Sequence, residues 1–159
     1  MSAINLNQLY QYVVQPVLNA FGEPNNTAAA VLLLGTALHE SMGGEYLAQI
    51  NGPALGAWQM EPFTHNDCWN NFLNYNQTFA TAVNTFNIPN GGSGQMAYNL
   101  AYACAMARVK YYRAQPPLPA ANDYQNLALY YKQYYNSALG AAVVDPDLVN
   151  CFAQAGQVV

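Results

Sequence analysis

Charge is scarce in this chain. Only 8% of its 159 residues are Asp, Glu, Lys or Arg; four are basic and eight acidic, for a formal net charge of −4. Phosphate backbones are held by clusters of Lys and Arg, so this balance excludes nucleic acid as a partner. Three of the four cations, Arg108, Lys110 and Arg113, fall near the end of one expected helix, where positive charge complements the helix dipole. Cysteine is also sparse. Cys68, Cys104 and Cys151 lie far apart with no CxxC spacing, which excludes a multi-disulfide framework and argues against zinc. They read as buried thiols, with one disulfide left open. The longest apolar run, Ala28 to Leu34, is far short of the ~20 residues that span a bilayer, so no membrane insertion is expected. The opening MSAINLNQLYQYVV lacks a basic segment, an apolar stretch and a small-residue cleavage site. The expectation is a chain made in the cytoplasm without a signal peptide.

Apolar and aromatic residues are abundant, at 53% and 13%, a globular composition with enough length for one domain over residues 1–159. The polar surface must then come from Asn, Gln, Ser, Thr and 13 tyrosines. Such a surface suits uncharged polar ligands such as sugars; equally, Asn and Gln simply stand in for Lys and Glu as solvated residues. Leu6, Leu9, Val13, Val17 and Phe21 have helical spacing, with Pro16 predicting a kink or break. A second helix opens at Asn25-Asn26-Thr27 and runs AAAVLLLGTALHES, apolar on every side, the mark of a helix buried at the centre. The glycine-rich stretch 43–59 predicts an irregular loop or small hairpin. Pro62 opens a short helix with Phe63, Trp69, Phe72 and Leu73 facing inward, and further helices are expected over about 77–86, 95–113 and 124–136. Asp145 or Asp147 caps a last one. The fold class is mainly α, with at most a very small β element near 46–58. The paired tyrosines on these helices, such as Tyr130-Tyr131 and Tyr134-Tyr135, point in different directions and read as core packing with a wet hydroxyl.

Glu40 is the anomaly. It closes the apolar helix just before Ser41 and the glycine-rich loop. A carboxylate there faces the negative end of the helix dipole and apolar walls, and both disfavour ionisation. That is the condition a general acid needs to protonate a glycosidic oxygen near neutral pH. The competing reading is a solvated carboxylate at a fraying helix end; spacing alone weighs the two evenly.

The ordered pieces His39-Glu40-Ser41, Gly56-Ala57-Trp58-Gln59-Met60 and Ala97-Tyr98-Asn99 decide more than any one of them. Their order, over residues 28–113, resembles the lytic transglycosylase and goose-type lysozyme branch of the lysozyme superfamily. The stretch GPALGAWQMEPFTHNDCW is similar to phage-encoded members. The resemblance implies a lysozyme-like domain that cuts the glycan strands of peptidoglycan, with Glu40 as catalytic acid/base and no metal or other cofactor. It implies that Gln59 lines the saccharide cleft, that Tyr98 and Asn99 lie near the carboxylate, and that Ser41 and Met60 join them in binding substrate. Trp58 is a candidate for sugar stacking or a lid over the core. Leu100-Ala101 follows Asn99 where the family has Ala-Gly.

Retaining glycosidases need two carboxyls about 5–5.5 Å apart and inverting ones about 6.5–9.5 Å. Glu45, in the loop, is the candidate second carboxylate; Glu61 reads equally as a cap of the next helix, and Asp67 as solvated. Lytic transglycosylases need only one, because the sugar's own hydroxyl closes an anhydro ring. His39-Glu40 has no second histidine at HExxH spacing, and His65 reads as a polar helix residue, so no metal site is expected. The expected setting is a phage enzyme acting at the cell wall, carried in the virion among other virion proteins or released at lysis. Two other classes stay open: a non-catalytic virion structural protein that keeps the fold, and a carbohydrate-binding module.

Overall fold

The helix that the sequence marks as central is buried against helices from both ends of the chain. The structure, a computed structural model, describes residues 4–136 and 144–159. Its elements are α1 (Leu6–Leu9), a π-helical turn (Tyr10–Val14), α2 (Gln15–Ala20), α3 (Thr27–Ser41), α4 (Pro62–Asn71), α5 (Gln77–Asn84), α6 (Leu100–Tyr112), α7 (Tyr124–Tyr134) and α8 (Pro146–Gly156). Short 3-10 turns stand at Leu73–Tyr75 and Ser93–Ala97. Among the described residues, strand pairing is limited to isolated antiparallel bridges, Ala48 with Leu55 and Leu55 with Met60. The chain is mainly α.

The break expected at Pro16 takes the form of a bulge. Proline has no N–H and its ring crowds the carbonyl four residues earlier. The backbone widens to i−5 bonding just before it, with the Gln15 N–H donating to the Tyr10 carbonyl. α3 starts where expected, its Asn26 side chain accepting from the Ala29 N–H at 3.0 Å. From Ala29 to Ala37 every residue is buried. Thr36 is the polar exception, and it is satisfied: its hydroxyl donates to the Leu32 carbonyl at 2.7 Å, so Tyr111, 2.6 Å away, donates to it. α8 lies across α3, with the Phe152 ring against Gly35.

Two expectations change in the middle of the chain. Phe63, expected inward, is 78% exposed, while His65 is buried. Starting the helix at Pro62 turns His65 and Cys68 inward, and Tyr102 repays the imidazole with a hydrogen bond to its Nε2 at 2.8 Å. The Trp69 Nε1–H also donates to that hydroxyl, at 3.0 Å. The long helix expected from residue 95 begins later, at Leu100. The buried Gln95 amide is spent on the preceding turn, accepting from the Ile88 N–H and donating to Asn87 and Gly92, and Asn99 then caps α6. Asp145 caps α8, accepting from the Leu148 N–H at 2.8 Å. Cys68, Cys104 and Cys151 are free thiols.

The cations expected at the end of α6 stand there, with Lys110 in the last turn and Arg113 at the C-cap, and they also make specific contacts. Arg108, 4% exposed, forks onto Glu23 with both N–O distances at 2.9 Å and lies over the Tyr112 ring, 3.7 Å from its centroid. Burial pushes the Glu23 carboxyl up, but the hydrogen bonds and charge of Arg108, with help from Tyr112 and Asn26, outweigh it and hold the carboxyl below its ordinary range. Arg113 pairs with Asp67 at 2.5 Å on the half-exposed surface.

Two substitutions test this account. Arg108→Met strands a partly buried carboxylate and should cost about 3 kcal/mol, the low end for a broken buried pair, since Glu23 keeps some water contact. Because Glu23 titrates lower folded than unfolded, the stabilisation is present above the ordinary carboxylate range and lost as pH falls through the folded value. Urea melts should therefore show the deficit at pH 7 and a smaller one in acid. For Gly35→Ala, a Cβ would stand 2.3 Å from the Phe152 ring. The helix-propensity gain of about 1 kcal/mol is smaller than an overpacking cost of about 1–3 kcal/mol, so the variant should melt earlier than the wild type.

Candidate functional site

α3 ends abruptly, and the way it ends exposes Glu40 to a cleft. Met42 takes a left-handed conformation (φ 54°), followed by Gly43 and Gly44 at φ 72° and 92°. The Ser41 hydroxyl is buried; it donates to the Ala57 carbonyl at 2.6 Å and accepts from the Gly44 N–H at 2.8 Å. One hydroxyl thus ties the helix end to both arms of the loop. The loop is pinned again at Trp58, whose indole N–H donates to the Leu33 carbonyl at 2.8 Å and whose carbonyl accepts from the Tyr135 hydroxyl at 2.8 Å. Gly56 (φ 78°) lets the backbone press against Met96, where a Cβ would meet the Met96 carbonyl oxygen at 2.2 Å. The next residue but two, Gln59, is left-handed as well (φ 44°) and donates to the Gly56 carbonyl at 2.9 Å.

Between this loop, α4, α6 and the end of α7 opens a cleft of about 540 Å³, within the range of small-ligand sites. Its walls carry Glu40, Gln49, Ala54, Gln59, Met60, Glu61, Thr64, Lys110, Tyr135 and Asn136. Uncharged polar groups dominate, with two carboxyls and one ammonium among them. The Tyr131 hydroxyl donates to Glu40 Oε1 at 2.5 Å and accepts from the Asn136 amide at 3.2 Å. Lys110 donates to the Tyr135 carbonyl, its ammonium 4.3 Å from the centre of the Tyr135 ring.

Burial is the largest influence on Glu40 and raises its carboxyl above the ordinary range, despite the opposing Tyr131 hydrogen bond and Lys110 charge. The helix C-terminus adds to the same side. Lys110 is pushed down by burial, against the pull of nearby acidic groups that include Glu40 and Glu61. The site therefore sets a carboxyl whose ionisation is disfavoured by burial beside a polar cleft.

Of the residues expected at the site, Glu40, Gln59 and Met60 share the cleft wall. Ser41 and Trp58 do not, since both are fully buried and their polar atoms are committed to the backbone. Glu45 is exposed and off the cleft wall, whereas Glu61 is on it; Glu61 precedes α4 without capping it through its side chain. Tyr98 is 66% exposed, and Asn99 caps α6 and donates to the Phe86 carbonyl at 2.8 Å. The cleft opens at the other end of α6, by Lys110, about 16 Å along the axis at 1.5 Å per residue. Asp67 faces Arg113. Sequence reasoning passed over Lys110, Tyr131 and Tyr135 as site residues. The four-residue spacing of Tyr131 and Tyr135 brings their rings 6.0 Å apart, but Tyr130 and Tyr134 share that spacing, so it does not single out the pair at the site.

No protein-family model, curated protein or solved structure shows significant similarity to the chain. Among the described residues, no three His, Cys, Asp or Glu side chains gather as a metal site, and no helix is long and apolar enough to cross a membrane.

Two titrations follow from the Glu40 environment. Tyr131→Phe removes the hydroxyl that favours the charged form, so the Glu40 carboxyl resonance should titrate at still higher pH than in the wild type. Glu40 also titrates higher folded than unfolded. Its contribution to stability is full below the ordinary carboxylate range and is lost as pH rises through the folded value. Glu40→Gln should accordingly gain stability relative to the wild type between acid and neutral pH.

Proposed function

We propose that this chain is a lysozyme-like enzyme that cleaves the glycan strands of peptidoglycan at the cleft beside α3, with Glu40 as general acid. The observation that carries the reading is the environment of Glu40: a carboxyl half-buried at the end of an apolar helix, its ionisation disfavoured by burial, facing polar space. A carboxyl whose ionisation is disfavoured can deliver its proton to the glycosidic oxygen as the bond to the anomeric carbon breaks. The Tyr131 hydroxyl bonds Oε1 and so orients the carboxyl, leaving Oε2 for the leaving oxygen. Gln49, Gln59 and Asn136 offer amide donors and acceptors that match sugar hydroxyls without charge. Two motif pieces, Glu40-Ser41 and Gln59-Met60, support the family by reaching the cleft or its foundation, whereas Tyr98-Asn99 stands at the far end of α6 and lends no support.

The fate of the anomeric carbon turns on the second carboxyl. Glu61, on the same wall, replaces Glu45 as the candidate base for a water; without it, the sugar's own hydroxyl attacks and an anhydro end results. As a phage-type protein with few charges, the chain would act at the wall as a virion component or a late lysis factor.

Mass spectrometry of peptidoglycan digests tests the reading. Muropeptides lighter by one water, with anhydro ends, identify a transglycosylase, and reducing ends a hydrolase. Glu40→Gln should lower turnover by about 10²–10⁴, the usual share of a general acid, with the fold intact by circular dichroism. If Glu61→Gln also abolishes hydrolysis, Glu61 is the base. Activity persisting in Glu40→Gln would overturn the assignment, and wild-type protein inert on several wall types would favour the virion structural class.

A further inference from the structure

The Glu40 cleft does not stop at Lys110. A second groove of about 320 Å³ lies on its far side, and Thr64 and Lys110 line both. This groove runs between α4, the end of α6 and α7, past Arg113, Gln133 and Tyr134.

Lys110 is the only basic side chain of the four whose placement calls for an outside partner. Arg108 is spent on Glu23 in the core, and Arg113 on Asp67 within the second groove. Lys132 lies on neither cavity wall. Lys110 has no carboxylate within ion-pair distance among the described residues; neutral groups hold it, the Tyr135 carbonyl and ring. An ammonium has three donors and the carbonyl takes one. A chain with so few cations keeps one in a half-buried wall, where desolvation makes its positive charge costly. An arriving anion would offset that cost.

We propose that the cleft and the second groove form one channel, in which Lys110 holds a carboxylate carried on a side branch of the bound glycan. The inference rests on the glycan reading of the cleft. The main chain of sugars occupies the Glu40 side, and the branch turns at Lys110 into the second groove. The carboxylate sits either directly on the sugar, as a lactyl ether, or on a peptide extending from it.

Calorimetry on the Glu40→Gln chain, which leaves the ligand uncut, tests this with four tetrasaccharides. These are neutral chitotetraose, an alternating N-acetylglucosamine–N-acetylmuramic acid form with free lactyl carboxylates, its carboxamide, and a peptide-bearing form whose lactyl groups are amide-linked. A carboxylate ligand should bind about tenfold tighter than its neutral counterpart, the worth of one charged hydrogen bond, and lose that margin in high salt. Preference for the free lactyl form puts the carboxylate on the sugar, and preference for the peptide form puts it on the branch. Lys110→Met should erase the margin, and Lys110→Arg should keep it; the amide comparison stands even if Lys110→Met fails to fold. Equal affinity for charged and neutral forms would overturn the proposal while leaving the glycan cleft intact. Binding of none of the four would overturn both.

Discussion

The burial of α3 is the constraint from which the rest of the structure follows. A helix with no polar face has to be covered on all sides, and the covering elements must leave no backbone group unpaired. α8 crosses it at Gly35, Tyr111 of α6 answers its one buried hydroxyl, and the loop after it supplies Trp58 to the carbonyl of Leu33. At its C-terminus this covering gives way. Ser41 closes the helix by bonding the loop, and Glu40, one residue earlier, is left half-buried at the edge of the packed core. The cleft is in this sense the seam between a helix that must be dry and a loop that must turn back on it.

Tyrosine does much of the work that charged residues do elsewhere. With so few cations and anions available, buried polar groups are satisfied by phenol hydroxyls: Tyr111 to Thr36, Tyr102 to His65, Tyr135 to the Trp58 carbonyl, Tyr131 to Glu40. A phenol supplies a donor without the desolvation cost of a full charge. Where full charges are buried they are paired in a fork, as at Arg108 and Glu23. Glu40 and Lys110 depart from that rule. They sit on one cleft wall with neutral hydrogen-bond partners, and each is shifted toward its uncharged form. Groups held in this way are suited to exchange protons or receive a ligand, because their charged states are not already claimed.

Much of this could be read along the chain. The apolar run through residues 28–38 marked α3 as central, the Asn-Asn-Thr start marked one cap and Asp145 or Asp147 another, and Pro16 marked a kink or break that the structure resolves as a bulge, each a local effect of side-chain type on the adjoining backbone. Phe63 shows the limit. Its apolarity says inward, but the helix phase set at Pro62 turns it out and His65 in, because Tyr102, distant in sequence, is there to bond the imidazole. The start of α6 was misplaced for a similar reason: Gln95 can continue a helix by propensity, but its amide is worth more holding the turn before it.

The site divides along the same line. Glu40 was legible because its oddity is local, a lone acid ending an apolar helix, and Gln59 was expected at the cleft only through the motif resemblance. Nothing local distinguishes Tyr131 from the other tyrosines, Lys110 from its basic neighbours, or Glu61 from Glu45. Their parts depend on which helix ends converge, on α6 delivering Lys110 and the end of α7 delivering Tyr135 to one wall, with Tyr131 buried against Glu40, while Tyr98 and Asn99 stay at the far end of α6. Sequence by itself determined a helical chain with a dry central helix and one misplaced carboxylate. Tertiary packing alone decided what that carboxylate faces, since contacts between residues far apart in the chain arise from whole-element docking and not from any property of the segments that carry them.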